Sequence, residues 1–179
     1  MRKIVLTYGL LAGGILAATF FVALPFHDAI GFDRAMVVGY TSMVLAFLLI
    51  FFGVRSYRDK LAGGRVGFGR ALAVGMLIGV VASSIYVLTW EVYYFGTNSN
   101  YIEGYQAHMI EKARQAGESP EAIAAKQAEM DKFAEMYRNP LVNSALTFME
   151  PLPVALVVAL VTAGVLSRRK KAEPGPATA

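Results

Sequence analysis

Charged residues are nearly absent from four stretches of this chain. Residues 4–26, 35–54 and 71–90 hold none, and a fourth stretch, from 141 or 145 to 166, holds Glu150 alone. Each gap is about 20 residues, which at about 1.5 Å per residue crosses a hydrocarbon core of about 30 Å. A segment in lipid must satisfy its own backbone polar groups, so each gap reads as a helix. The third is the clearest: Arg70 stands at one end, and Trp90, Tyr93 and Tyr94 stand at the other. The pattern predicts an all-α polytopic membrane protein with four transmembrane helices, at about 4–26, 35–54, 71–94 and 145–166.

Small residues recur at helical spacing within the gaps. Gly9, Gly13 and Ala17 share a face, as do Gly75, Gly79 and Ser83, and Ala155, Ala159 and Ala163; Gly39, Ala46 and Gly53 recur every seven. Such stripes let helix backbones approach closely. Glu150-Pro151-Leu152-Pro153 interrupts the fourth span, and proline's missing amide predicts a kink or a late helix start there.

Between the third and fourth spans the pattern turns polar but stays periodic. Asn100 with Glu103 resembles a capping box. Tyr101, Tyr105, Met109, Lys112 or Ala113, and Ala116 then trace one helical face. Gly117 stops that helix and Ser119-Pro120 starts another. Ile123, Gln127, Met130, Phe133, Ala134 and Tyr137 continue at helical spacing until Asn139-Pro140. Residues 97–140 therefore read as a helical hairpin.

Charge gives this frame a direction. Arg2 and Lys3, then Arg55, Arg58, Lys60, Arg65 and Arg70, then Arg168, Arg169, Lys170 and Lys171 flank the apolar runs on one side. Cytoplasmic loops carry such an excess, so both termini are expected inside and the hairpin, with five basic and seven acidic residues, outside. The first gap is longer than the usual signal core of about 7–15 residues, and Leu24-Pro25-Phe26 is a poor cleavage site, so it is expected to remain as a span. Residues 1–171 then form one membrane domain, with 172–179 a disordered cytoplasmic tail. Of 179 residues 56% are hydrophobic and only 17% charged, and the absence of cysteine excludes disulfides and thiolate chemistry. The net charge of +4 lies beside apolar runs, which favours lipid and topology over nucleic acid. The glycines from Gly63 to Gly69 fit neither nucleotide-binding fingerprint and read as a flexible turn.

Several phrases occur in order: Gly39-Tyr-Thr-Ser-Met-Val-Leu-Ala-Phe47, Phe52-Gly-Val-Arg-Ser-Tyr-Arg-Asp59, Phe68-Gly-Arg-Ala71, Thr89-Trp-Glu91 and Glu150-Pro151. Together they make the chain similar to the DUF4199 family, bacterial membrane proteins of unknown function. The resemblance runs from the first span through Arg169. It implies a Gram-negative inner-membrane protein, and it brings no reaction, cofactor or catalytic residue.

Glu91 and Glu150 are the sharpest candidates for chemistry, because a carboxylate within a span is costly and asks for a partner or a proton. One reading makes them a proton- or cation-responsive pair facing a small outer cavity. The other places both in the interface, salt-bridged to Arg34, His27 or Arg138. Ser84, two turns from Glu91 on the same face, either extends a polar track inward or bonds the preceding turn's carbonyl. His108 and Glu111 are two ligands at most, short of the three or four that zinc wants, so no metal site is expected. Arg55, Arg58 and Lys60 are candidates for lipid headgroup contact as well as topology. Trp90, Tyr93, Tyr94 and Tyr101 read as an outer aromatic belt. No nucleophile–base motif is present, and neither an enzyme nor a cofactor is expected. The expected function is a non-enzymatic assembly or interaction protein that pairs with itself or a membrane partner through the hairpin. The alternative is a small cation- or proton-linked transporter, or a subunit of one, using Glu91 and Glu150.

Overall fold

The computed structural model describes residues 1–23, 31–97 and 99–167. Among them are seven helices and no strand: α1 (Arg2–Ala23), α2 (Phe32–Leu61), α3 (Phe68–Gly96), α4 (Tyr101–Gln115), α5 (Pro120–Tyr137), α6 (Pro140–Met149) and α7 (Pro151–Leu166). The all-α expectation holds. α1, α2, α3 and the α6–α7 run are the four helices long and apolar enough to cross a membrane. His27, the basic run 168–171 and the tail 172–179 lie outside the described residues.

α3 packs against all the other spans. Gly9 and Gly13 of α1 sit over Val81 and Ile85, so α1 and α3 run parallel; Gly75 and Gly79 meet Ala159 and Ala155 of α7, which runs antiparallel. The fit is tight. A Cβ on Gly9 would lie 2.6 Å from Val81, and one on Gly79 would lie 2.8 Å from Ala155 Cβ. Close backbone approach matters here because lipid tails are as apolar as leucine, so helices associate through dispersion and hydrogen bonds rather than by escaping solvent. Phe47, Ile50, Val54 and Ile78 fill the middle and are fully buried. Leu10, Leu11, Leu45, Phe52, Leu88, Val157 and Val161 point outward and stay exposed, an apolar girdle that suits a bilayer.

These contacts use the small-residue stripes inside one chain. Gly9, Gly13, Gly53, Gly75 and Gly79 all have neighbours within the bundle, whereas Gly14, Gly39 and Gly164 meet nothing. The stripes therefore lend the expected self-assembly no support.

Polar residues set the helix ends. Ser119 Oγ accepts from Ala122 N at 3.2 Å, with Pro120 at the first position. Asn139 Oδ1 accepts from Leu141 N at 3.0 Å, so Asn139-Pro140 opens α6 as well as closing α5. The capping box expected at Asn100 does not form; Ser99 Oγ takes the Tyr101 amide instead, at 3.2 Å. At Glu150 the backbone stays helical (φ −67°, ψ −53°), but Pro151 has no amide to donate, and the span breaks into α6 and α7.

Gly79→Leu should cost about 2 kcal/mol or more by overpacking against Ala155. Gly164→Ala, which meets only open space, should be neutral or stabilise by up to about 1 kcal/mol. Thermal unfolding of both variants in one mild detergent checks the contrast.

Candidate functional site

The packing loosens toward the end of the bundle that α4 and α5 cover. Most residues of α2 from 32 to 45 are exposed, although Met43 is buried. Between this half of α2 and α1, α3 and α6 lies a chamber of about 510 Å³. Leu16, Thr19 and Phe20 of α1, Met36, Gly39, Tyr40 and Met43 of α2, and Tyr86 and Trp90 of α3 line it. Tyr101, Tyr105, His108, Met109 and Lys112 of α4 close it, with Tyr137, Thr147 and Glu150. A Cβ on Gly39 would meet nothing within 4 Å, so the glycine leaves room where a side chain would intrude.

α4 is latched to the start of α2. The Phe32 ring lies 5.6 Å from Tyr101, 5.8 Å from Tyr105 and 5.2 Å from His108, the last stacked. Lys112 Nζ donates to both Asp33 oxygens, at 3.0 and 3.2 Å, and His108 Nε2 lies 3.5 Å from Oδ1. Asp33 and Lys112 are exposed and His108 is partly so, so solvent screens this ion pair, and the ring contacts carry more of the latch. The helical stripe Tyr101, Tyr105, Met109 and Lys112 thus faces a cavity, while α4 buries Ile102, Ile110 and Ala113.

A buried polar network joins the spans to α5. Trp90 Nε1 donates to Asn143 Oδ1 at 3.0 Å, and Asn143 Nδ2 donates to the Tyr137 carbonyl at 3.2 Å. Thr147 Oγ1 donates to Asn143 Oδ1 at 3.2 Å and lies 3.2 Å from the Tyr137 hydroxyl. Trp90 and Tyr94 stack with centroids 5.7 Å apart, and Trp90 meets Phe20 and Tyr101 edge-on at 5.5 and 5.0 Å. Trp90 and Tyr94 are buried, so they form a core under the lid rather than the expected outer belt. Burial pushes the Tyr101 phenol up to about 12, with Glu150 adding to the effect, and burial also raises Tyr137. Both rings therefore stay neutral donors through the physiological range.

The two carboxylates have different surroundings. Glu91 accepts from Ser144 Oγ at 2.9 Å, between α3 and α6, and does not line the chamber. Glu150 lines it and accepts from the Tyr86 hydroxyl at 3.1 Å. Among the described residues neither forms an ion pair, with Arg34, Arg138 or any other base; His27 lies outside them. Arg34 is exposed and makes no salt bridge among the described residues. Ser84 is exposed and donates to the Val80 carbonyl at 2.9 Å, so it extends no track; its neighbour Ser83 is buried, with no partner for its hydroxyl. Arg55 and Arg58 share Asp59 at the opposite end of the bundle, at 3.7 and 2.7 Å, and Lys60 is exposed nearby. Among the described residues no three His, Asp or Glu side chains gather to hold a metal.

Sequence reasoning missed Tyr86, Asn143, Gly39 and the Asp33–Lys112 contact. Asn143 and Thr147 carried a signal, being polar residues four apart at the start of an apolar run. Tyr86 carried none that spacing reveals, and the seven-residue spacing of Gly39 pointed to helix packing rather than to a cavity wall.

Residues 7–168 match a family model described as "Protein of unknown function (DUF4199)". The chain belongs to this family. Neither a curated protein nor a solved structure matches it. The match extends from α1 to the end of α7, so the chamber, the lid and Glu150 of this DUF4199 chain all fall within it.

Phe32→Ala should free α4 from α2, whereas Asp33→Asn should do so only slightly. Faster amide hydrogen exchange across 101–115, with little change in 71–90, is the expected readout for Phe32→Ala.

Proposed function

We propose that this DUF4199 chain is a non-enzymatic ligand-binding protein of the bacterial inner membrane, with the chamber as its site and α4–α5 as the lid. The observation that carries this reading is the chamber itself. Its volume of about 510 Å³ falls within the range of about 300–1,000 Å³ typical of small-molecule sites. Its walls are mainly apolar and aromatic, with a few polar groups at floor and rim, which is the usual make-up of such sites. The lid's latch is shallow enough to open, and an opening lid gives a ligand a way in.

The basic residues support an orientation in which Arg2, Lys3 and the 55–70 loop face the cytoplasm, with both ends of the chain on that side. The lid then faces the periplasm. Alkaline phosphatase fused after Gly117 should be active in cells, and a fusion within residues 61–67 inactive. The reverse result would invert the topology.

Transport remains the second reading, and one observation favours it: Glu150 opens on the chamber about 15 Å along α3 from its Gly96 end, at about 1.5 Å per residue. Transport would then run through Glu150 without Glu91. A partner-binding role for the lid is compatible with either reading.

Trp90, the sole tryptophan, lines the chamber and reports on its occupancy. In nanodiscs of neutral lipid, the uncharged probe N-phenylnaphthylamine should quench Trp90 saturably, beyond the effect seen with solvent alone. Gly39→Leu should reduce that binding by about tenfold, or about 1.4 kcal/mol. If quenching rises linearly with probe and Gly39→Leu leaves it unchanged, the chamber is not a binding site.

A further inference from the structure

The charges that line the chamber do not cancel. At the rim, Lys112 is matched by Asp33, whose two oxygens it reaches at 3.0 and 3.2 Å. His108 leans on the same carboxylate at 3.5 Å. That leaves Glu150. Among the described residues no Lys, Arg or His lies within ion-pair reach of it, and its hydrogen-bond donor is one neutral phenol, Tyr86. A carboxylate offers about four acceptor positions, and Glu150, exposed where it lines the chamber, has one neutral donor and no cationic partner among the described residues.

What would complete it is a cation. A bare metal ion fits badly, because hard cations want six or more oxygens and no three candidate ligands gather among the described residues. The chamber that Glu150 lines is walled by rings instead: Tyr86, which donates to it, and Phe20, Tyr40, Trp90, Tyr101 and Tyr105. Aromatic rings attract cations through their quadrupoles and bury apolar surface at the same time. Among the described residues an anion finds no unpaired Lys or Arg lining the chamber, since Lys112 is held by Asp33. We infer that the chamber takes a monovalent organic cation bearing apolar substituents, with Glu150 as its counter-ion and the aromatic walls holding the rest. This rests on the reading that the chamber is a binding site.

Tetraphenylphosphonium and tetraphenylborate have nearly the same shape and opposite charge, so they separate charge from size. Each is titrated into the protein in neutral-lipid nanodiscs, with Trp90 fluorescence as readout and protein-free nanodiscs as the blank for partitioning. The phosphonium should bind at least about tenfold more tightly than the borate. Glu150→Gln, which keeps the shape and can still accept from Tyr86, should remove most of that preference. Glu91→Gln, which lies off the chamber, should leave the preference unchanged. Equal binding of the two ions, tighter binding of the borate, or a preference that survives Glu150→Gln overturns the cation assignment, even where the neutral probe still binds. Loss of neutral-probe binding in the wild-type protein removes the chamber reading itself.

Discussion

Backbone contact along α3 is the constraint on which the rest of this protein depends. Inside a bilayer no water is released when two helices meet, so a bundle holds together only where surfaces fit. α3 supplies that fit on two sides. Val81 and Ile85 close over glycines of α1, and its own Gly75 and Gly79 receive Ala159 and Ala155 of α7. Each meeting brings backbone near backbone and leaves no space for a β-carbon. Most of the stripe glycines, Gly9, Gly13, Gly53, Gly75 and Gly79, are used in contacts within the one chain.

Side chains grow along the face of α3, and the fold changes with them. Glycines at 75 and 79 give way to Tyr86 and Trp90, and a helix that lies close at one end is held apart at the other. Asn143 and Thr147 tie α6 to Trp90 and so keep the fourth span in place. The gap therefore falls on the side of α2, whose first half packs loosely. The chamber lies beside this half of α2, while a hydrogen bond from Trp90 holds α6 to α3.

Two kinds of polar chemistry then meet at this end. The network around Asn143 is buried and mutually satisfied, which makes it rigid. The Asp33–Lys112 contact is exposed and screened by solvent, so the ring contacts of Phe32 hold α4 more than the charges do. Glu91 belongs with the rigid part, since Ser144 holds it between two spans. Glu150 belongs with neither. It stands at a broken helix, where Pro151 stops one ladder and begins another, and it faces the cavity with a single donor.

The sequence by itself determined the class of the fold. Twenty-residue gaps in charge leave helices as the form compatible with lipid, and Gly117, Ser119-Pro120 and Asn139-Pro140 mark the helix ends through local backbone chemistry that needs no partner. The kink at Glu150-Pro151 was legible for the same reason. Tertiary structure decided which groups meet. Glu91 and Glu150 look alike in the chain, yet they lie on opposite sides of the contact between α3 and α6–α7, and only packing separates them. Ser84 and Ser83 are neighbours, and a rotation of about 100° per residue puts one outside and the other in the core. The cavity is the least legible feature of all. It is space that six helices fail to fill, and a pattern along one chain records what each helix presents, not what their surfaces leave empty when they meet.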